Sequence, residues 1–114
     1  MSKKRFVPGR GDIIWLDFNP QSGHEQRGRR PAIVLSPVEY NEKAGLALVC
    51  PITSHIKGYP FEVLLPEKAV IKGVIIADQV KSLDWQHRNA EFVEKAPKNV
   101  INETIGKFST LIQF

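Results

Sequence analysis

Runs rich in β-branched and aromatic residues recur at positions 13–18, 32–35, 46–50, 61–65 and 74–77, each about the length of one strand. Turn chemistry separates them: Asn19-Pro20, Ser22-Gly23, Lys57-Gly58-Tyr59-Pro60 and Lys72-Gly73 restrict or free φ where the chain must reverse. This pattern predicts an antiparallel barrel or a strongly bent sheet rather than a parallel one. Between the second and third runs, Ser36-Pro37 reads as an N-cap followed by a proline at the first helical position, with Gly45 closing a short helix or turn. The period then changes. Ile101, Ile105, Phe108 and Ile112 recur at helical spacing, with Leu111 widening the same stripe, so the C-terminal segment reads as an amphipathic helix whose apolar side packs on the sheet. Pro97 suits its first turn, and Asn102, Glu103 and Lys107 supply the polar side.

A chain of 114 residues that is 42% hydrophobic can build one modest core, so residues 1–114 are expected to form a single domain. A net charge of +4 favours polyanionic partners without requiring them. The single cysteine, Cys50, has no partner for an internal disulfide and follows an apolar run, which predicts a buried thiol in a reducing, cytosolic setting. The basic N-terminus is interrupted by Pro8, Gly9, Arg10, Gly11 and Asp12 before an apolar signal core can form, and no apolar stretch approaches the roughly 20 residues that span a bilayer. A soluble protein without a membrane role is expected. His55 and His87 lie far apart with no Cys/His spacing of a zinc site, and there is no glycine-rich phosphate loop, so neither a metal nor a nucleotide cofactor is expected. Trp15 and Trp85 adjoin apolar runs and read as buried structure.

Candidate chemistry concentrates in residues 19–30, the longest polar segment before the second strand, which holds His24, Glu25, Arg27, Arg29 and Arg30. Arg30 precedes Pro31, which biases its backbone toward extended geometry and fixes where its guanidinium starts. Metal-free RNA cleavage needs a base for the ribose 2′-OH proton, a cation for the charged phosphorane and an acid for the leaving oxygen. Glu25, His24 and Arg30 are of those chemical types. By composition alone, a solvated charged loop that binds phosphate or nothing accounts for the same residues.

Ordered motifs extend beyond that loop. Gly23-His24-Glu25-Gln26, the stretch from Arg30-Pro31 to Ser36-Pro37, Pro51-Ile52-Thr53-Ser54 and Ala77-Asp78-Gln79-Val80-Lys81-Ser82 together resemble the MazF/PemK family of toxin endoribonucleases. Gly11-Asp12-Ile13-Ile14-Trp15 and the stretch from Lys57-Gly58 to Glu62-Val63 follow the same family order, so the resemblance covers nearly the whole chain. It implies an SH3-like antiparallel barrel with a C-terminal helix, mainly β, and a bacterial, cytoplasmic homodimer that a cognate antitoxin silences. It also implies sequence-specific cleavage of single-stranded RNA, including mRNA, by 2′-OH attack, leaving a 2′,3′-cyclic phosphate and a 5′-OH.

By motif, the resemblance assigns catalysis to Arg30 and Thr53, with functional roles for Glu25 and His24. Arg30 would neutralise the phosphorane and could assist the leaving group, and the Thr53 hydroxyl would hydrogen-bond a nonbridging oxygen. The PemK-like branch adds a loop histidine, an aspartate and an arginine two positions before that aspartate; His24 and Asp78 match, but the third position is Ile76. Arg30 is therefore the expected catalytic cation, and the base remains open among Glu25, His24 and Asp78. Ser54, Lys57, Phe61, Asp78, Gln79 and Lys81 are the expected RNA contacts. Ordinary structural roles compete: Thr53 as a strand cap, Asp78 paired with Lys81 or Arg88, His24 as a solvated loop residue, Phe61 as core. Two other functions share the fold or the charge: a noncatalytic gyrase-binding toxin resembling the CcdB family, and a plain RNA-binding module.

Overall fold

The computed structural model describes residues 6–18 and 28–113. Within β1 (Asp12–Asp17) successive side chains alternate between two apolar environments. Ile13 and Trp15 point to one side, Ile14 and Leu16 to the other. The alternation continues through β2 (Arg29–Val34) and β3 (Ala47–Thr53), where Ile33, Cys50 and Ile52 join the first environment and Ala32, Val34, Ala47 and Val49 the second. These central strands are covered on both faces, which is why their sequence reads as nearly continuous apolar runs.

The remaining strands are β4 (Glu62–Leu64), β5 (Val74–Ile76), β6 (Lys81–Leu83) and β7 (Glu91–Lys95). The sheet order is β4-β5-β3-β2-β1-β7, every pairing is antiparallel, and β6 pairs with β3. The mainly β, antiparallel expectation therefore holds, with one difference. The sheet is not closed: β4 and β7 end the order and do not pair with each other among the described residues. Strands β6 and β7 were absent from the expected set, because the runs 81–83 and 91–95 are half polar and carry no clean alternation.

Strand β3 changes partners along its length. Residues 47–49 pair with β6, whereas Ile52 and Thr53 pair with β5, so β5 and β6 follow each other along one edge and residues 77–80 turn out between them. On the opposite edge, pairing with β2 stops at Ala32 and Pro51. Pro31 and Pro51 lack the N–H that a continued ladder would use. Arg29–Pro31 and Ile52–Thr53 are thus released from each other where the candidate chemistry lies.

Helix α1 (Val38–Ala44) begins after Pro37, which is the N-cap itself, and ends at Gly45 with φ 71°. Ser36, expected as the cap, instead donates from Oγ to Asn41 Oδ1 at 2.5 Å and accepts the Leu48 N–H at 2.9 Å. Asn41 is fully buried; its Nδ2 donates to the carbonyls of Pro8 and Ser36, and its own carbonyl accepts the Trp85 indole N–H at 3.0 Å. Helix α2 (Lys98–Ser109) packs through buried Val100 and Thr104, flanked by Ile101 and Ile105. Leu111 and Ile112 correct the expected stripe: the helix ends at Ser109, and both side chains lie beyond it, more than half exposed.

Candidate active site

Arg30 is part of β2, opposite Leu16, rather than the end of a loop. The cross-strand pairing explains which arginine is free. Arg29 donates to Asp17 at 3.0 Å and to Glu91 at 2.8 Å, whereas the exposed Arg30 side chain has no hydrogen bond or ion pair among the described residues. An unpaired guanidinium keeps all its donors available for an oxyanion. Asp17 is held below the ordinary aspartate range, first by the Asn89 side-chain hydrogen bond and then by Arg29 and Arg88, against a desolvation that works the other way.

Thr53 ends β3 beside β5. Its Oγ1 accepts the His55 N–H at 3.1 Å, so the hydroxyl proton remains available to donate to a ligand. The expected strand-cap role and a ligand-binding role are therefore compatible. The following turn is organised by Glu62, whose carboxylate accepts the N–H groups of Lys57 and Gly58, each at 3.0 Å. Lys107 of α2 donates to the carbonyls of Pro60 and Glu62, tying the helix to the same turn.

Across from this turn, the Tyr59 hydroxyl donates to Asp78 Oδ2 at 2.6 Å. That bond and the aspartate's charge push the Tyr59 phenol above its ordinary range. Asp78 does not pair with Lys81 or Arg88: the Arg88 guanidinium donates to the carbonyls of Asp17 and Phe18, and Asp78 Oδ1 is buried with no hydrogen-bond partner among the described residues. Burial pushes the Cys50 thiol up to about 12, with a smaller contribution from the Asp78 charge.

These groups surround a groove of about 600 Å³ that brings Arg30, Thr53, Lys57, Asp78 and Gln79 together. A second hollow of about 380 Å³ shares Arg30 and Thr53 and adds Ser54 and Lys72. Arg30 and Thr53 thus stand on the wall between two depressions. A larger hollow, about 670 Å³, is bounded mainly by Leu64, Leu65, Pro66, Pro97 and Val100 and contains none of the expected site residues. Of the other expected contacts, Phe61 is half-buried against Tyr59, with ring centroids 5.9 Å apart, and Lys81 is exposed on β6; neither lines the two hollows. His24 and Glu25 lie outside the described residues.

The sequence reading missed His55, Tyr59 and Glu62, which also line the groove. The signal available was proximity to Thr53 and to the Lys57-Gly58 turn. Among the described residues, no group of three His, Cys, Asp or Glu side chains is placed to hold a metal ion, and no helix is long and apolar enough to cross a membrane.

Comparison with known proteins adds ancestry to this geometry. The chain is 55% identical over 86 residues to the endoribonuclease toxin MazF of Escherichia coli K12, covering 75% of this chain and 77% of that protein. It is 32% identical over 107 residues to the endoribonuclease PemK of Escherichia coli, covering 90% and 80%. The crystal structure of MazF from Deinococcus radiodurans superposes with a TM-score of 0.87 at 52% identity, over 95% of this chain and 98% of that one. A MazE-MazF crystal structure from the same organism gives 0.85 at 46% identity, over 95% and 97%. Residues 9–111 match the sequence profile of PemK-like, MazF-like toxins of type II toxin-antitoxin systems, and the chain belongs to that family.

Proposed function

We propose that this toxin is a metal-independent endoribonuclease that acts as a single domain on single-stranded RNA, mRNA included, at short recognised sequences. The observation that carries the reading is the pairing, on one groove wall, of an Arg30 guanidinium that has no partner among the described residues with a Thr53 hydroxyl free to donate. In the reaction, the 2′-oxygen attacks phosphorus as a base takes its proton. Arg30 and Thr53 hold the charge that develops on the nonbridging oxygens, and the chain parts into a 2′,3′-cyclic phosphate and a 5′-OH. The base comes from Glu25, His24 or Asp78. Lys57, Gln79 and Ser54 contact the RNA from the two hollows, and Phe61 and Lys81 extend that surface.

The endoribonuclease names of the MazF, PemK and ChpB relatives support this reading over a gyrase-directed one. The MazE-MazF neighbours support regulation by a cognate antitoxin; the same reading takes the toxin as a homodimer acting in the bacterial cytoplasm.

The test is cleavage of an RNA pool in excess EDTA, with a matched oligonucleotide carrying 2′-deoxy at the mapped cut position. Cleavage of the first and none of the second is expected. Arg30→Ala should bind RNA yet lose about 10²–10³-fold in the single-turnover rate, the magnitude of removing one oxyanion donor. Binding without cleavage by the unaltered protein would leave only the plain RNA-binding reading.

A further inference from the structure

A polymer held at the wall that carries Arg30 and Thr53 must leave it on both sides. On one side lies the groove with Lys57 and Gln79; on the other lies the second hollow, whose lining includes Arg29, Ser54 and Lys72. Arg29 brings little free charge to that hollow, since it is paired with Asp17 and Glu91. Lys72 is different. Its side chain is exposed, its ammonium donates to the neutral carbonyl of Glu67, and it has no ion pair among the described residues. The backbone that carries it is firmly tied. Glu94 of β7 accepts the N–H groups of Val70 at 2.8 Å and Ile71 at 3.1 Å through one carboxylate oxygen. On the other side of Lys72, Gly73 passes so close to β3 that an added Cβ would lie 2.1 Å from the Thr53 carbonyl oxygen, and the Gly73 carbonyl accepts the Leu65 N–H at 3.0 Å. Lys72 is therefore fixed from β7 before it and from β3 after it, beside the strand end that bears Thr53. A lysine ammonium is a compact point charge that suits a phosphate and carries no base preference.

Resting on the ribonuclease reading, we propose that the second hollow is a subsite for an RNA backbone phosphate adjacent to the scissile one, with Lys72 as its cation and Glu94 as the positioning residue for Lys72. Lys72 shares one hollow with Arg30 and Thr53, so the phosphate it takes is a neighbour of the one being cut rather than a distant one. A strand gripped by Lys57 on one side and Lys72 on the other is drawn across the wall, which holds the scissile phosphate against Arg30 and Thr53. Glu94 acts on the RNA only through the backbone of residues 70 and 71.

The test measures binding of uncleavable oligonucleotides, 2′-deoxy at the mapped cut position, in which each linkage in turn is a neutral methylphosphonate. Lys72→Ala should weaken binding of the all-phosphate oligonucleotide about 2–5-fold, the usual worth of an exposed charge pair, and flatten the slope of log affinity against log salt by about 0.7. In the unaltered chain, neutralising one of the two linkages that flank the cut should cost affinity, and in Lys72→Ala that cost should vanish. Glu94→Ala should lose the same linkage-specific response, whereas Glu94→Gln should keep it, because one amide oxygen can accept both N–H groups. Misfolding weakens binding at every linkage alike and cannot imitate this pattern. Equal responses of Lys72→Ala and the unaltered chain at both flanking linkages, or an unchanged salt slope, would overturn the subsite. A Glu94→Ala protein that keeps the response would overturn the positioning role. An all-ribose oligonucleotide in EDTA forms a separate arm: if the unaltered chain leaves it uncut, the ribonuclease reading fails and the subsite falls with it, a result distinct from a cut control whose flanking linkages ignore Lys72.

Discussion

Replacing Gly73 by alanine should damage stability and the candidate site together. Gly73 has φ +122°, and a Cβ built there would lie 2.1 Å from the Thr53 carbonyl oxygen, 2.8 Å from its carbonyl carbon and 2.9 Å from Ser54 Cα. The Gly73 carbonyl also accepts the Leu65 N–H at 3.0 Å, which resists a swing away from β3. The oxygen would need to retreat by about 1 Å to reach tolerable contact. Left-handed backbone costs an alanine about 1–2 kcal/mol, and forced repacking adds about 1–3 kcal/mol, so a loss of about 2–5 kcal/mol is expected. With a urea slope of about 2 kcal/mol per molar, the unfolding midpoint should fall by roughly 1–2.5 M. The displaced carbonyl belongs to Thr53, and a 1 Å misplacement of a catalytic group can cost about 10²-fold, so the single-turnover rate of the folded fraction should fall by that order. Gly45→Ala is the control: its φ is +71°, and nothing lies within 4 Å of the built Cβ, so only the backbone term of about 1 kcal/mol applies. A Gly73→Ala protein with the urea midpoint and cleavage rate of Gly45→Ala would refute the reasoning.

The further outcomes concern the titration of two groups, Cys50 and Asp17. With its thiol pushed to about 12, Cys50 should resist thiolate-directed reagents at pH 8 in the folded protein and react fully once urea unfolds the chain; prompt stoichiometric labelling of native protein would contradict its burial. The same upward shift contributes stability that is intact below the ordinary value of 9.0 and is lost as pH rises through the folded value, so urea midpoints should decline on the alkaline side. Asp17 has the opposite sign: its depressed pKa contributes stability above the ordinary 3.8 that is lost as pH falls through the folded value. Asn89→Gly keeps the backbone freedom that φ 56° requires and removes the largest cause, so the Asp17 carboxyl should titrate closer to 3.8 by carbon-detected NMR; an unmoved titration would shift the credit to Arg29 and Arg88.

Legibility in the sequence followed physical cause. Strands β1, β2, β3, β4 and β5 were visible because double-sided or alternating burial leaves apolar runs, whereas β6 and β7 take their pairing from neighbours more than from their own residues. Helix α1 was visible through Pro37 and Gly45, but Ser36 had a competing use in the buried Asn41 network that no local pattern encodes. At the site, Arg30 and Thr53 were legible by motif, and their meeting on one groove wall depends on β3 exchanging partners, a three-dimensional fact. Arg29 looked equivalent to Arg30 until the register set it against Asp17. The Tyr59–Asp78 bond joins residues 19 apart and was invisible for the same reason.

The pairing of β1 with β7 bears on how the molecule comes into being during synthesis. Lys95 reaches back 83 residues to Asp12, and Glu94 in the same strand accepts the N–H groups of Val70 and Ile71, which border the second hollow. A ribosome making this chain must release residue 95 before β1 gains its second neighbour or that border gains its carboxylate. Contacts of such sequence separation slow folding and make it depend on late arrivals. A nascent product that stops short of residue 95 therefore carries Arg30 and Thr53 without the strand that completes their surroundings.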